Sequence, residues 1–200
     1  MKDNFIGMLK LVCEKTNRGQ QADKLISVLE EGGFFTAPCS TQYHLCKEGG
    51  LLDHSLNVAS IAMNIGLTLK CESSHSIVIA ALLHDVGKMG QFNKPNYVPN
   101  FVKDGRVTKA DPVQKYKISD TKPFETNKEL LYVDHEIRSI QIVSQYLDLT
   151  EEESFAILYH NGMYSNLKYA LNGKETPLQM IIHFADLWAS RVVENSKEAE

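Results

Sequence analysis

Six polar residues interrupt apolar stretches of this 200-residue chain: His54 in LLDHSLNVA, His84 and Asp85 in AALLHDVGK, His135 in VDHEIRS, His160 in AILYHNG and Asp186 in IIHFADLWAS. A buried imidazole or carboxylate needs a partner, and one partner that all six can share is a metal centre. Imidazole with carboxylate suits Mn, Fe, Co, Ni or Zn, and the absence of thiolates argues against a structural zinc site. The adjacent His84 and Asp85 can serve two ions, the imidazole taking one while the carboxylate bridges to the other. Four histidines and two aspartates then supply roughly three protein ligands per ion, leaving positions open for water and substrate. A centre of that kind generates a metal-bound hydroxide at neutral pH and neutralises phosphoryl oxygens.

Helical patterning has to position these groups. Phe5, Ile6, Met8, Leu9 and Val12 form one apolar face, and Leu25, Ile26, Val28 and Leu29 form another, closed by Gly32-Gly33. His54 lies in a longer helix entered from Gly49-Gly50 and marked by Leu52, Leu56, Ala59, Ala62 and Ile65. Ser73 or Ser74 caps the next helix, which is apolar almost all round from Ile77 to Leu83 and ends in His84 and Asp85. Helical periodicity resumes at Ile137. A capping box, Thr150 with Glu153, opens another helix, and Thr176-Pro177 opens the last, which carries Asp186. Residues 90–133 break the pattern with Pro95, Pro99, Pro112 and Pro123. Within them Asp104-Gly105, between Phe101-Val102 and Val107, is a two-residue hairpin signal. The expected architecture is a single all-α domain over residues 1–200. It has N-terminal helices in 1–34 and a loop and β-hairpin flap inserted at about residues 90–133.

Composition bounds the function. With 43% hydrophobic and 23% charged residues the chain reads as one soluble domain with its own core. No run of eighteen apolar residues is present, so no membrane partner is expected. The N-terminal stretch mixes charges through its apolar positions, as an amphipathic helix does and a signal peptide does not. Cys13, Cys39, Cys46 and Cys71 form no Cys-x-x-Cys pair and read as free thiols in the cytoplasm. A net charge of −4 excludes a generic nucleic-acid coat. Between Lys88 and Lys122, however, eight basic side chains, among them Lys103, Arg106 and Lys109, face three acids. That segment either handles an anion or is a solvated Lys-rich loop. Its aromatics Tyr97, Phe101 and Tyr116 either stack a base or pack on the helical body.

The order His54, His84-Asp85, His135, His160, Asp186 resembles the HD-domain superfamily of metal-dependent phosphohydrolases, in its six-ligand, two-metal branch. HDVGK is similar to the extended HD-x-GK form, in which the lysine lies close to the substrate phosphate. GGLLDHSLNVA and HFADLWASR resemble the HD module of bacterial 3′–5′ exoribonucleases, and small HD proteins of bacteria and phages are similar from FFTAPCS onward. Residues 1–34 are too short and too helical to be the OB-type domain those exoribonucleases carry. The resemblance implies an HD-domain helical bundle, two divalent transition-metal ions, and catalytic roles for Asp85 and Lys88. The implied reaction is hydrolysis of a phosphate ester in a nucleotide or short oligonucleotide. His44, Lys103, Arg106 and Arg191 are candidates for substrate contact. The alternatives for single residues are plain: Lys88 complementing a helix C-terminus, Arg191 pairing with Glu194, and His135 and His160 as helix-terminal histidines. His183 reads as a packed residue and His75 as solvent-facing. Two other functions fit the same ligands, a mixed-valent di-iron oxygenase of the superfamily and a non-catalytic nucleotide-binding module.

Overall fold

The computed structural model describes residues 1–71, 74–109 and 112–194. It is built from helices α1 (Lys2–Lys15), α2 (Gly19–Glu31), α3 (Gly50–Thr68), α4 (Ser74–Leu83), α5 (His135–Val143), α6 (Glu151–Leu158), α7 (Lys168–Leu171) and α8 (Pro177–Trp188). A 3₁₀ turn at Val86–Met89 follows α4, another occupies Gly162–Tyr164, and a π turn at Ala189–Val193 continues α8. The mostly helical fold expected from the periodicity is the fold observed.

The all-round apolar helix α4 is the centre. Every residue from Ile77 to Leu83 is buried, and α1, α3, α6 and α8 pack around it. A helix without a polar face can be stable only when enclosed in this way. Phe5, Leu9, Leu25 and Leu29 of α1 and α2 close one side of the core. Ile181, Ile182 and Ala185 of α8 close another. Of the two serines expected to cap α4, Ser74 is its first residue and Ser73 lies outside the described residues.

The inserted segment is an arm of three antiparallel pairs, a short hairpin followed by two nested pairs. β1 (Gly90–Gln91) pairs with β2 (Lys94–Pro95), β3 (Tyr97–Pro99) with β6 (Phe124–Thr126), and β4 (Phe101–Asp104) with β5 (Lys115–Ile118). The hairpin expected at Asp104-Gly105 is corrected here. Gly105 does turn with a positive φ of 70°, but the returning strand is Lys115–Ile118, with Asp104 opposite Lys115, and not the segment at Val107. Residues 107–112 lack alternation and end at Pro112, whereas KYKI offers an opposite charge to Asp104 and Tyr116 to Lys103.

One ion pair ties three helical layers together. Arg18, between α1 and α2, reaches both carboxylate oxygens of Glu153, at 2.6 and 3.0 Å. Ser76 of α4 donates to the same carboxylate at 2.9 Å, and the Thr150 amide closes the capping box at 2.9 Å. Burial works to raise the Glu153 pKa, but Arg18, the Thr150 amide and Ser76 hold it below the ordinary 4.5. Its stabilising contribution is therefore complete above pH 4.5 and lost as the pH falls through the lower folded value. Glu153→Ala strands a nearly buried guanidinium, so urea unfolding at pH 7 should show a loss of about 3–5 kcal/mol. The difference from the parent should shrink as the solution is acidified below pH 4. A loss under 1 kcal/mol at pH 7 would remove this pair from the account.

Candidate metal centre

Four helices and the turn after α4 bring the six residues of the sequence reading to one place. His54 projects from the second turn of α3, and His84 and Asp85 follow the last residue of α4. His135 is the first residue of α5, His160 follows α6, and Asp186 lies in the last turn of α8. His54, His84 and Asp85 are fully buried. Gly87 permits this assembly: a Cβ there would lie 2.2 Å from the His135 carbonyl oxygen and 2.8 Å from the Ser139 amide nitrogen. The Gly87 amide donates to Ser139 Oγ at 2.8 Å, so α5 docks directly on the HDVGK turn and carries His135 in with it.

Each imidazole is oriented through Nδ1. His84 donates to the Ala81 carbonyl and His160 to the Ile157 carbonyl, both at 2.8 Å. His54 donates to the two oxygens of Glu194 at 3.0 Å, and His135 Nδ1 lies 3.3 Å from Glu136 Oε2. The four Nε2 atoms then converge in two pairs, His54 with His84 at 3.2 Å and His135 with His160 at 3.3 Å. Asp85 stands between the pairs. Its Oδ2 is 3.3 and 3.4 Å from the first two, and its Oδ1 is 3.2 and 3.5 Å from the second two. Asp186 Oδ1 joins the first group, 3.2 Å from His54.

The donor set fits a metal. Among the described residues neither buried oxygen of Asp85 has a hydrogen-bond partner, although Lys88 ion-pairs with Oδ2 at 2.6 Å. Ligand nitrogens about 2.0–2.1 Å from a tetrahedral ion lie roughly 3.3 Å apart, the separation seen in both imidazole pairs. The triads His54, His84, Asp186 and His84, Asp85, His160 are each compact enough to hold one ion. The electrostatics point the same way. Burial disfavours a charge on His54, yet Cys39 and the carboxylates of Asp186, Asp85 and Glu194 raise its pKa well above 6.5. Burial is likewise overcome at Asp85 by Lys88 and His84, and at Asp186 by His54, so both carboxyls sit below the usual range. The site draws positive charge in.

A cleft of about 670 Å³ reaches this group at Asp186 and is walled also by His44, Lys88, Asn161, His183 and Arg191. His44 is held near pKa 4, by burial first and then by the charges of Lys88 and His54, so it meets a ligand as a neutral imidazole. Its Nε2 lies 3.2 Å from Cys39 Sγ, and burial pushes that thiol up to about 11. Lys88 keeps its charge, because Asp85 outweighs the burial that opposes it. Arg191 makes no ion pair among the described residues, since Glu194 turns to His54 and Asn57 instead. Lys103 and Arg106 lie elsewhere: both are exposed on the β4–β5 part of the arm and neither lines the cleft. Phe101 and Tyr116 stand in solvent there, 62% and 60% exposed, while Tyr97 is half-buried. His183 packs by donating to the His160 carbonyl at 2.8 Å, and His75 is exposed.

Glu194 is the functional group that sequence periodicity hides. In an unbroken α-helix, eight residues past Asp186 is about 80° away around the axis. The π turn at Ala189–Val193 adds a residue and brings Glu194 back to within about 20° of the Asp186 face. Asn161, 3.1 Å from His135 Nε2, was legible only as the neighbour of His160.

A helical bundle that gathers histidines and aspartates around a shared buried carboxylate defines a protein able to hold divalent metal. The family model of the HD domain matches residues 51–189, and the chain belongs to that family. No curated protein and no solved structure matches it. Carboxylates behind metal-ligating histidines set affinity, and Glu194 occupies that place behind His54. Glu194→Ala should therefore weaken binding of one divalent ion by about 10–100-fold in a chelator competition while circular dichroism stays unchanged. Glu194→Gln, which keeps an acceptor for Nδ1, should lose less. Equal affinity in all three proteins would contradict the assignment.

Proposed function

We propose that the chain is a metal-dependent phosphohydrolase that uses two divalent transition-metal ions, one on each side of Asp85, to hydrolyse a phosphate ester of a nucleotide or short oligonucleotide. One observation carries this reading: each oxygen of a single buried carboxylate faces its own pair of imidazole Nε2 atoms, beside a cleft lined by Asp186, Lys88 and Arg191. Membership of the HD domain family supports the metal-dependent hydrolase class. Bound there, divalent ions lower the pKa of water and neutralise phosphoryl oxygens. His54, His84, Asp85 and Asp186 would hold one ion, and Asp85, His135 and His160 the other.

The remaining side chains supply what the ions do not. The Lys88 ammonium touches Asp85 and forms part of the cleft wall, so it can donate to a phosphoryl oxygen as charge develops there. Arg191 offers a second cation at the cleft rim, and neutral His44 offers a hydrogen bond without adding charge. Among the described residues no helix is long and apolar enough to cross a membrane.

Lys88→Ala leaves every Nε2 donor in place. It should retain both ions by metal analysis and lower turnover of bis-(p-nitrophenyl) phosphate by about 10²–10³-fold. Loss of metal, or an unchanged rate, contradicts the role given to Lys88. Protein loaded in turn with Mn, Fe, Co, Ni and Zn that turns over no phosphate ester contradicts the hydrolase reading. Dioxygen uptake by the iron-loaded protein would favour an oxygenase.

A further inference from the structure

A groove of about 1040 Å³ lies beside the metal cleft. Its lining is mostly apolar: Ile65 of α3 and Leu69 just after it, with Phe184, Leu187, Trp188 and Val192 of α8 and the π turn. Trp188 is 57% exposed, Leu69 63% and Phe184 48%. Large rings left in water carry an unfavourable hydration free energy, and such a patch marks a binding surface.

Two observations say what covers it. The groove and the metal cleft share walls: Tyr164, Leu187 and Arg191 line both, so the two adjoin. Charge is divided between them. Lys88, Asp186 and Arg191 belong to the cleft, whereas beyond Arg191 the groove offers no further charge, and its polar groups are the side chains of Asn64 and Thr68, the Tyr164 hydroxyl and the Trp188 indole N–H. A ligand that runs through both is anionic at one end and neutral, flat and largely apolar at the other. A sugar phosphate would set most of its hydroxyls against apolar side chains in this groove, and an extended polyanion would bring charge into it.

We infer that the groove is a specificity subsite for the neutral heterocyclic part of the substrate: the phosphate lies over the metal centre, Arg191 sits at the junction, and a nucleobase seats against Trp188 and Tyr164. This rests on the phosphohydrolase reading and narrows its substrate to esters carrying an aromatic base. It also places base recognition on the α3–α8 face and not on the arm, where stacking on Tyr97, Phe101 and Tyr116 was one of two readings. A concave, mostly apolar pocket with a few polar groups at its rim is the usual form of such a subsite.

Trp188 is the single tryptophan of the chain, so its fluorescence reports on the groove directly. Zinc-loaded protein is titrated with the hydrolysis-resistant 5′-methylene phosphonate of adenosine and, separately, with methylphosphonate. The adenosine compound should quench Trp188 saturably and bind at least about tenfold more tightly than methylphosphonate, the gain expected from stacking one base. Leu69→Glu, at an exposed position remote from the metal ligands, should abolish that gain and leave methylphosphonate affinity and metal content unchanged. Equal affinity for the two compounds, with Trp188 fluorescence unaltered, overturns the subsite and leaves the hydrolase reading standing. Binding of neither compound overturns both. A concentration-dependent dimer in sedimentation that shields Trp188 from the adenosine compound assigns the groove to a second copy of the chain and overturns the subsite.

Discussion

Burying a carboxylate whose two oxygens accept no hydrogen bond costs several kcal/mol unless positive charge is arranged around it. Asp85 is in that position, at the end of the most enclosed helix of the molecule. Everything nearby is arranged to answer it: a lysine at 2.6 Å, and four imidazoles whose outer nitrogens are tied back so that their inner nitrogens face the carboxylate. Such a constellation is weak evidence for stability and good evidence for a ligand, because apolar residues would fill the same space at less cost.

The fold can be understood as the means of meeting that demand. An apolar α4 can be placed only at the centre, and it delivers His84 and Asp85 wherever it ends. Gly87 lets α5 approach within contact of the following turn, so His135 enters from the side opposite His54. The π turn after α8 serves the opposite edge, rotating Glu194 onto His54 and leaving Arg191 at the cleft rim. A helix irregularity at a site of this kind is consistent with the usual association of π turns with function. The Arg18–Glu153 pair holds α1, α2, α4 and α6 in register from behind, well away from the chemistry.

Much of this was legible because the signals were local and strong. A helix from Ile77 to Leu83 with no polar face, a capping box at Thr150 and Glu153, and a Thr176-Pro177 start each has one physical meaning, and each is present. The six polar interruptions were legible for the same reason, since histidine and aspartate on apolar helices require a shared partner. What escaped was set by distance and by phase. Glu194 acts on a residue 140 positions away and reaches it through a π turn that periodicity does not forecast. The partner of β4 depends on which later segment pairs best, so a turn signal at Asp104-Gly105 could not fix it. The basic segment was visible as composition, but composition does not say where Lys103 and Arg106 point, and they stand apart from the cleft.

The claim on which the rest depends is that Asp85 bridges two separate metal positions. Metal content per chain, measured on protein reconstituted with excess Mn or Zn and passed through a desalting column, tests it most directly in the parent, His54→Ala and His135→Ala. The account predicts two ions in the parent and one in each variant, with the ion that remains differing between them in its ligand spectroscopy. One ion in the parent that both substitutions remove, or two ions that neither disturbs, would contradict it.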